Sequence, residues 1–223
     1  MNEERPMSNR IALAATALLS IVPLASSADA EADRARAEAA VADLGQSLRG
    51  ALVAAMERSG PVGAVGFCHD EAPRITAAVG DRHGVRIGRT GVRLRNPGNR
   101  PEPWLAEVVA GFEREAAAGA PPPSLVAVSA EGLPPGIVLR YARGIGTEAA
   151  CLVCHGQSVA EPVRAAIRER YPDDAATGFG PGDLRGAFWV EVPSGEIQPA
   201  SGGSAHAAGA ASARRDIAAH LGR

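Results

Sequence analysis

Cys151-Leu152-Val153-Cys154-His155 is the stretch of this sequence whose residue types and spacing specify a chemistry. Two thiols three positions apart can each reach one of the two vinyl groups of a porphyrin, and the residue after the second thiol then places an imidazole beneath the iron. This is the spacing of covalent c-type haem attachment. Chance competes weakly: from three Cys and five His, about 0.0006 such matches are expected. Two other chemistries use similar residues. A thioredoxin-like redox pair wants a strand before it and a helix N-terminus at the first Cys. A structural zinc site wants four ligands, usually with a second close pair, and the sequence shows no such pair.

If His155 is the proximal ligand, the other axial position has six candidates: Cys68, His69, His83, His206, His220 and Met56. His206 and His220 lie in an Ala/Gly/Ser-rich stretch, where ordering the backbone costs entropy. Met56 shares helical spacing with Leu48 and Leu52, which is ordinarily core packing. Cys68 follows the apolar Val65 and Phe67 and could equally be a small buried hydrophobe. Arg86, Arg89, Arg93, Arg95 and Arg100 lie within fifteen residues. Arg89 or Arg95 could fork onto haem propionates; the alternative is a strand edge guarded by charge. Asp173-Asp174 after Tyr171-Pro172 reads as a helix-terminating turn rather than a metal pair.

Composition excludes other classes. Every one of the 23 basic residues is Arg, so Schiff-base chemistry and a P-loop are out, including at the glycine-rich stretch 178–186. A net charge of -2 gives no basic field for nucleic acid. No G-x-S-x-G occurs, and no Ser/His/Asp triad can be argued from residue order.

The N-terminus carries Arg5 and Arg10, an apolar run over 11–24, then Ala28-Asp29-Ala30. This is the order of a secretory signal peptide over residues 1–30. A helical run of that length covers roughly 21 Å, short of the roughly 30 Å of a hydrocarbon core. Export to a periplasm is expected, with membrane attachment only if the segment is not cleaved. Val41, Leu44, Leu48, Leu52 and Met56 give residues 31–59 a helical stripe, stopped by Gly60-Pro61. A second helical region covers 62–79, kinked or restarted at Pro73. Period-two alternation predicts a strand over 85–95, and Asn96 to Asn99 a turn. Trp104, Val108 and Phe112 mark a helix over 103–118, ended by Pro121-Pro122-Pro123. Strands follow over 125–130 and 137–143, then a helix over 161–171 and a last strand over 184–192. From 193 to 223 an Ala/Gly-rich flexible tail is expected. The body is then α+β, helices packed on one antiparallel sheet.

Several further motifs run in a recognisable order: Phe67-Cys68 with Glu71-Ala72-Pro73, Ile87-Gly88-Arg89-Thr90, Arg95 to Asn99, Arg140-Tyr141, Cys151 to Gly156, Tyr171 to Ala175, Ala176 to Phe179, and Gly182 to Phe188. With them the sequence resembles the Tll-type c-haem domain family, over roughly residues 44–192. The resemblance implies a PAS-like central antiparallel sheet flanked by helices, and with the long N-terminal helix read from periodicity it makes one expected domain over 31–192. It implies one haem c held by Cys151, Cys154 and His155, with Cys68 as an unusual distal ligand. A Cys thiolate favours Fe(III) and lowers the potential, which suits a redox or gas sensor (NO or CO). A periplasmic electron-transfer cytochrome with a redox partner is the alternative. A haem peroxidase, the third reading, needs the distal position that Cys68 would fill.

Overall fold

The computed structural model describes residues 27–195. The expected signal segment, residues 1–30, lies almost wholly outside them. So do His206, His220 and nearly all of the expected tail.

The chain opens with a long helix, α1 (Ser27–His83), broken once, at Gly60 (φ 62°, ψ −176°). That backbone conformation is essentially reserved for glycine. With Pro61 fixing the first φ of the next limb, it folds α1 into a hairpin of two limbs, 27–59 and 61–83. The second limb runs through Pro73 and four residues beyond the expected end. Asp43 ties the limbs: its carboxylate accepts from Arg82 (Nε 3.2 Å, Nη2 2.9 Å), from Ser47 (3.0 Å), and pairs with His83 Nε2 at 3.0 Å. Arg82 and His83 hold this carboxyl below the usual range.

Four strands follow in one antiparallel sheet of order β1-β4-β3-β2: β1 (Arg86–Gly91), β2 (Val126–Ser129), β3 (Ile137–Gly146) and β4 (Leu184–Pro193). Alternation sends the two sides of each strand to different helices. On one face Leu139, Tyr141, Val190 and Val192 pack against Ala37, Ala40 and Val41 of α1. On the other, Ala142 and Ala187 pack against Leu105, Val109 and Phe112 of α2 (Pro103–Ala117). A third cluster joins Val65 of α1 to Val163, Ala166, Ile167 and Tyr171, on and just after α4 (Glu161–Arg170). The fold class is α+β with a long N-terminal helix, as expected.

Two expectations need correction. The first strand stops at Gly91 rather than continuing to Arg95. A Cβ at Gly91 would lie 2.6 Å from the Arg93 carbonyl, so the chain bends there. Only Val92 N–H still reaches the sheet, at Arg185 O (3.1 Å). Leu94 instead turns its carbonyl to Ala175 N–H (2.9 Å) and holds the loop after α4. In α2 the buried stripe is Leu105, Val109 and Phe112, with Trp104 and Val108 only flanking it. An i, i+4, i+7 set centres better on a helical face than a run of fours, which drifts around the axis.

Candidate haem site

The Cys motif follows β3 directly. Ala149–Cys151 form a 3-10 turn and α3 (Leu152–His155) one short helical turn. That turn places the residues needing different directions on different sides: Val153 is exposed, Cys154 packs on the Val65–Tyr171 cluster, and His155 points into the protein. A strand before the pair matches a thioredoxin-like site. The helix does not, because α3 is a single four-residue turn, whereas such a pair sits at the N-terminus of a longer helix whose dipole lowers the first thiol. Among the described residues no three of His, Cys, Asp and Glu converge as a bare metal ion would need.

Arg95 fixes the motif from below. Its Nε donates to Asp174 Oδ1 (3.0 Å), and its Nη2 donates to Asp174 Oδ2 (3.2 Å), Cys154 O (2.7 Å) and Ala176 O (3.3 Å). Asp174 also accepts from Ala176 N–H (3.0 Å), the short-range turn expected of Asp173-Asp174. Gly178 N–H reaches Gly156 O (3.0 Å) and Phe179 N–H reaches His155 O (3.0 Å). The loop 174–179 is thus laced along the back of the motif.

The imidazole is oriented by that loop. His155 Nδ1 lies 2.6 Å from Ala176 O, and a carbonyl can only accept, so Nδ1 carries the proton and donates it. Nε2 then keeps its lone pair, and no described residue bonds to it. This is the tautomer that a haem or metal ligand requires. Phe179 meets the ring edge-on, centroids 6.5 Å apart. Burial, then the guanidiniums of Arg185 and Arg95, hold the imidazole's pKa down at about 2, so it is neutral at any ordinary pH.

Cys68 lies on the second limb of α1, three residues after Val65 and therefore on the same helical face. Burial pushes its thiol up, while Arg89, Arg95 and Arg185 pull it back. Its field is felt by Tyr171, whose hydroxyl burial also pushes up. Cys68, Cys154, Arg89, Arg95, Arg185 and Tyr171 therefore share one electrostatic neighbourhood beside His155. The other axial candidates that the structure describes are placed differently. His83 pairs with Asp43, fifteen residues or about 22 Å along the limb from Cys68. His69 stacks edge-on against Tyr171 (5.3 Å) and contacts Asp70 (2.7 Å). Met56 stays half-buried in the first limb. The Ala176 carbonyl, Asp174 and Arg185 lie inside motifs that carry the family resemblance, but their roles at this site emerge only from the fold.

The donor set suits a haem. It comprises two thiols, an imidazole in the ligating tautomer, a third thiol in the same electrostatic neighbourhood and several guanidiniums. An α+β domain with such a constellation defines the class, and the comparisons agree with it. This chain belongs to the Tll0287-like family, which matches residues 20–193. A similar solved structure is described as the cyanobacterial heme-protein Tll0287, with 23% identity and a TM-score of 0.55, covering 77% of this chain and 99% of that one. No curated protein matches the chain.

Proposed function

We propose that this chain is an exported, periplasmic haem protein carrying one covalently attached haem c, and that it serves as a redox- or gas-sensing domain. Cys151 and Cys154 are the thioether sites, His155 is the proximal ligand and Cys68 the distal one. The observation that carries this reading is the His155 Nδ1–H bond to the Ala176 carbonyl, which leaves Nε2 free at the end of a C-x-x-C-H motif. Membership of the Tll0287-like family and the haem-protein neighbour support it.

When bound, the haem would supply one-electron chemistry and the capacity to bind a small gas. The residues around it do the rest. Ala176 and Arg95 hold the proximal side rigid through the loop 174–179. Cys68 feels two opposed influences, of which burial is the stronger. Burial favours its neutral thiol, and three guanidiniums favour its thiolate. Such a side chain can hold as a thiolate in one charge state of the site and let go as a thiol in the other. A distal thiol that burial keeps neutral until a positive charge draws off its proton suits a sensor better than a fixed electron carrier.

The test is a redox titration of the full chain matured with the c-haem biogenesis apparatus, with CO or NO added at each potential. A low potential and gas binding confined to the reduced protein are expected. Six-coordinate iron in both states without gas binding would make it an electron-transfer cytochrome instead. An open position in the oxidised protein that turns over peroxide would favour the peroxidase reading.

A further inference from the structure

We propose that Arg185, with Arg89 beside it, anchors the carboxylates of the tetrapyrrole, and that Arg95 serves the motif's backbone instead. This rests on the haem reading above and assigns what faces the haem's acidic edge.

The argument begins with where each guanidinium spends its donors. Arg86 and Arg140 pair with the buried Glu191 at 2.7 and 2.9 Å. Arg95 has both edges of its fork committed to Asp174 and two carbonyls. Arg93 sits over Phe179, its Cζ 3.8 Å from the ring centroid. Arg185 is different. Its one close polar neighbour among the described residues is His155 Nδ1, 2.8 Å from Nη1. An imidazole Nδ1 holds either one proton or one lone pair, and here the proton is already given to Ala176 O at 2.6 Å. A guanidinium N–H has nothing to donate to at that atom. Arg185 therefore reaches the site half-buried without an acceptor.

Arg89 repeats the pattern. It is half-buried on β1, and no described residue accepts a hydrogen bond from it or pairs with it. Arg89 lies on β1, which pairs with β4, and Val92 N–H just beyond β1 bonds the Arg185 carbonyl at 3.1 Å, so the two cations feel each other. Two like charges partly withdrawn from water and near one another are costly unless an anion joins them. The anionic forms within their field are the thiolate of Cys68, together with that of Cys151 for Arg185 and the phenolate of Tyr171 for Arg89. None is a carboxylate.

The backbone aims Arg185 here for a definite reason. Gly186 (φ 159°) has no room for a Cβ against the Thr90 carbonyl, so β4 starts tight against β1 and Arg185 is delivered beside His155. A ligand bringing carboxylates completes the set, because guanidinium forks bind carboxylates bidentately. With the guanidinium drawn to a carboxylate, His155 Nδ1 keeps the Ala176 bond alone, and carboxylate binding and axial ligation reinforce one another.

Resonance Raman spectra of the matured full chain test this, since covalent haem stays in place when a carboxylate contact is lost. The propionate bending bands should shift in Arg185→Met and in Arg89→Met, with partial recovery in Arg185→Lys, while both thioether bonds remain. The wild-type chain offers a second measurement that needs no variant to fold. Before maturation it should bind haem at least about tenfold more tightly than haem dimethyl ester. Unshifted propionate bands in both Met variants, or equal binding of the diacid and its ester, would overturn the assignment while leaving the haem reading intact. A wild-type chain that carries no haem after maturation would instead remove the haem reading itself.

Discussion

Arg95 and Asp174 form an ion pair across 79 residues of sequence, Nε to Oδ1 at 3.0 Å, with only 14% and 9% of the two side chains exposed. Removing one partner of a pair so buried leaves the other charge uncompensated. Asp174→Ala also deletes the bond from Ala176 N–H, which positions the carbonyl that orients His155. We expect a loss of about 3–5 kcal/mol in unfolding free energy, read by urea titration of the matured protein. A loss under about 1 kcal/mol would class the pair with solvated surface bridges.

The His155 imidazole gives a pH dependence with a definite sign. Its pKa falls from 6.5 in the unfolded chain to about 2 in the fold, through burial and then Arg185 and Arg95. Between those values the unfolded chain binds the extra proton. Stability of the chain before haem attachment should therefore fall as pH drops below 6.5 and keep falling toward 2. Unfolding curves at pH 7, 6, 5 and 4 should show this slope, and His155→Gln should reduce it. An unchanged slope in His155→Gln would show that another group titrates.

Gly60 carries the hinge that turns the second limb of α1 back along the first. Alanine there has open space but the wrong backbone, with nothing within 4 Å of its Cβ. Gly60→Ala should cost roughly 1–3 kcal/mol in thermal or urea unfolding. If it is neutral, the limbs do not depend on that conformation for their packing.

Cys68→Ala should alter the spectrum of the oxidised matured protein and raise its reduction potential, because the ligand removed is an anionic donor. Cys68→Ser is the control for packing alone. If neither the spectrum nor the potential moves in Cys68→Ala, a different residue occupies the distal position.

Much of the architecture was legible because short-range rules decided it. The Leu44–Leu52 stripe, Gly60-Pro61, the Pro121–Pro123 break and the alternation along β4 each specify their element without reference to the rest of the chain. The strand expected over 85–95 ends early because a long-range contact prevails: Leu94 alternates like a strand residue, yet its carbonyl is claimed by Ala175, 81 positions on. The site divides the same way. C-x-x-C-H is local and could be read directly. Arg89 and Arg95 looked alike, two arginines on one predicted strand, and only the fold separates them by giving Arg95 to Asp174. Arg185 and Ala176 lie inside motifs that carry the family resemblance, but those motifs do not say what the two residues bind, since their roles exist only once β4 and the 174–179 loop meet His155.

The central claim concerns a covalent bond, and mass spectrometry addresses it most directly. The full chain, expressed with the cytochrome c maturation apparatus and then denatured, should keep one tetrapyrrole's added mass and its haem c absorption. Cys151→Ala with Cys154→Ala should lose both. A colourless wild-type protein whose mass equals that of the bare polypeptide would contradict the account.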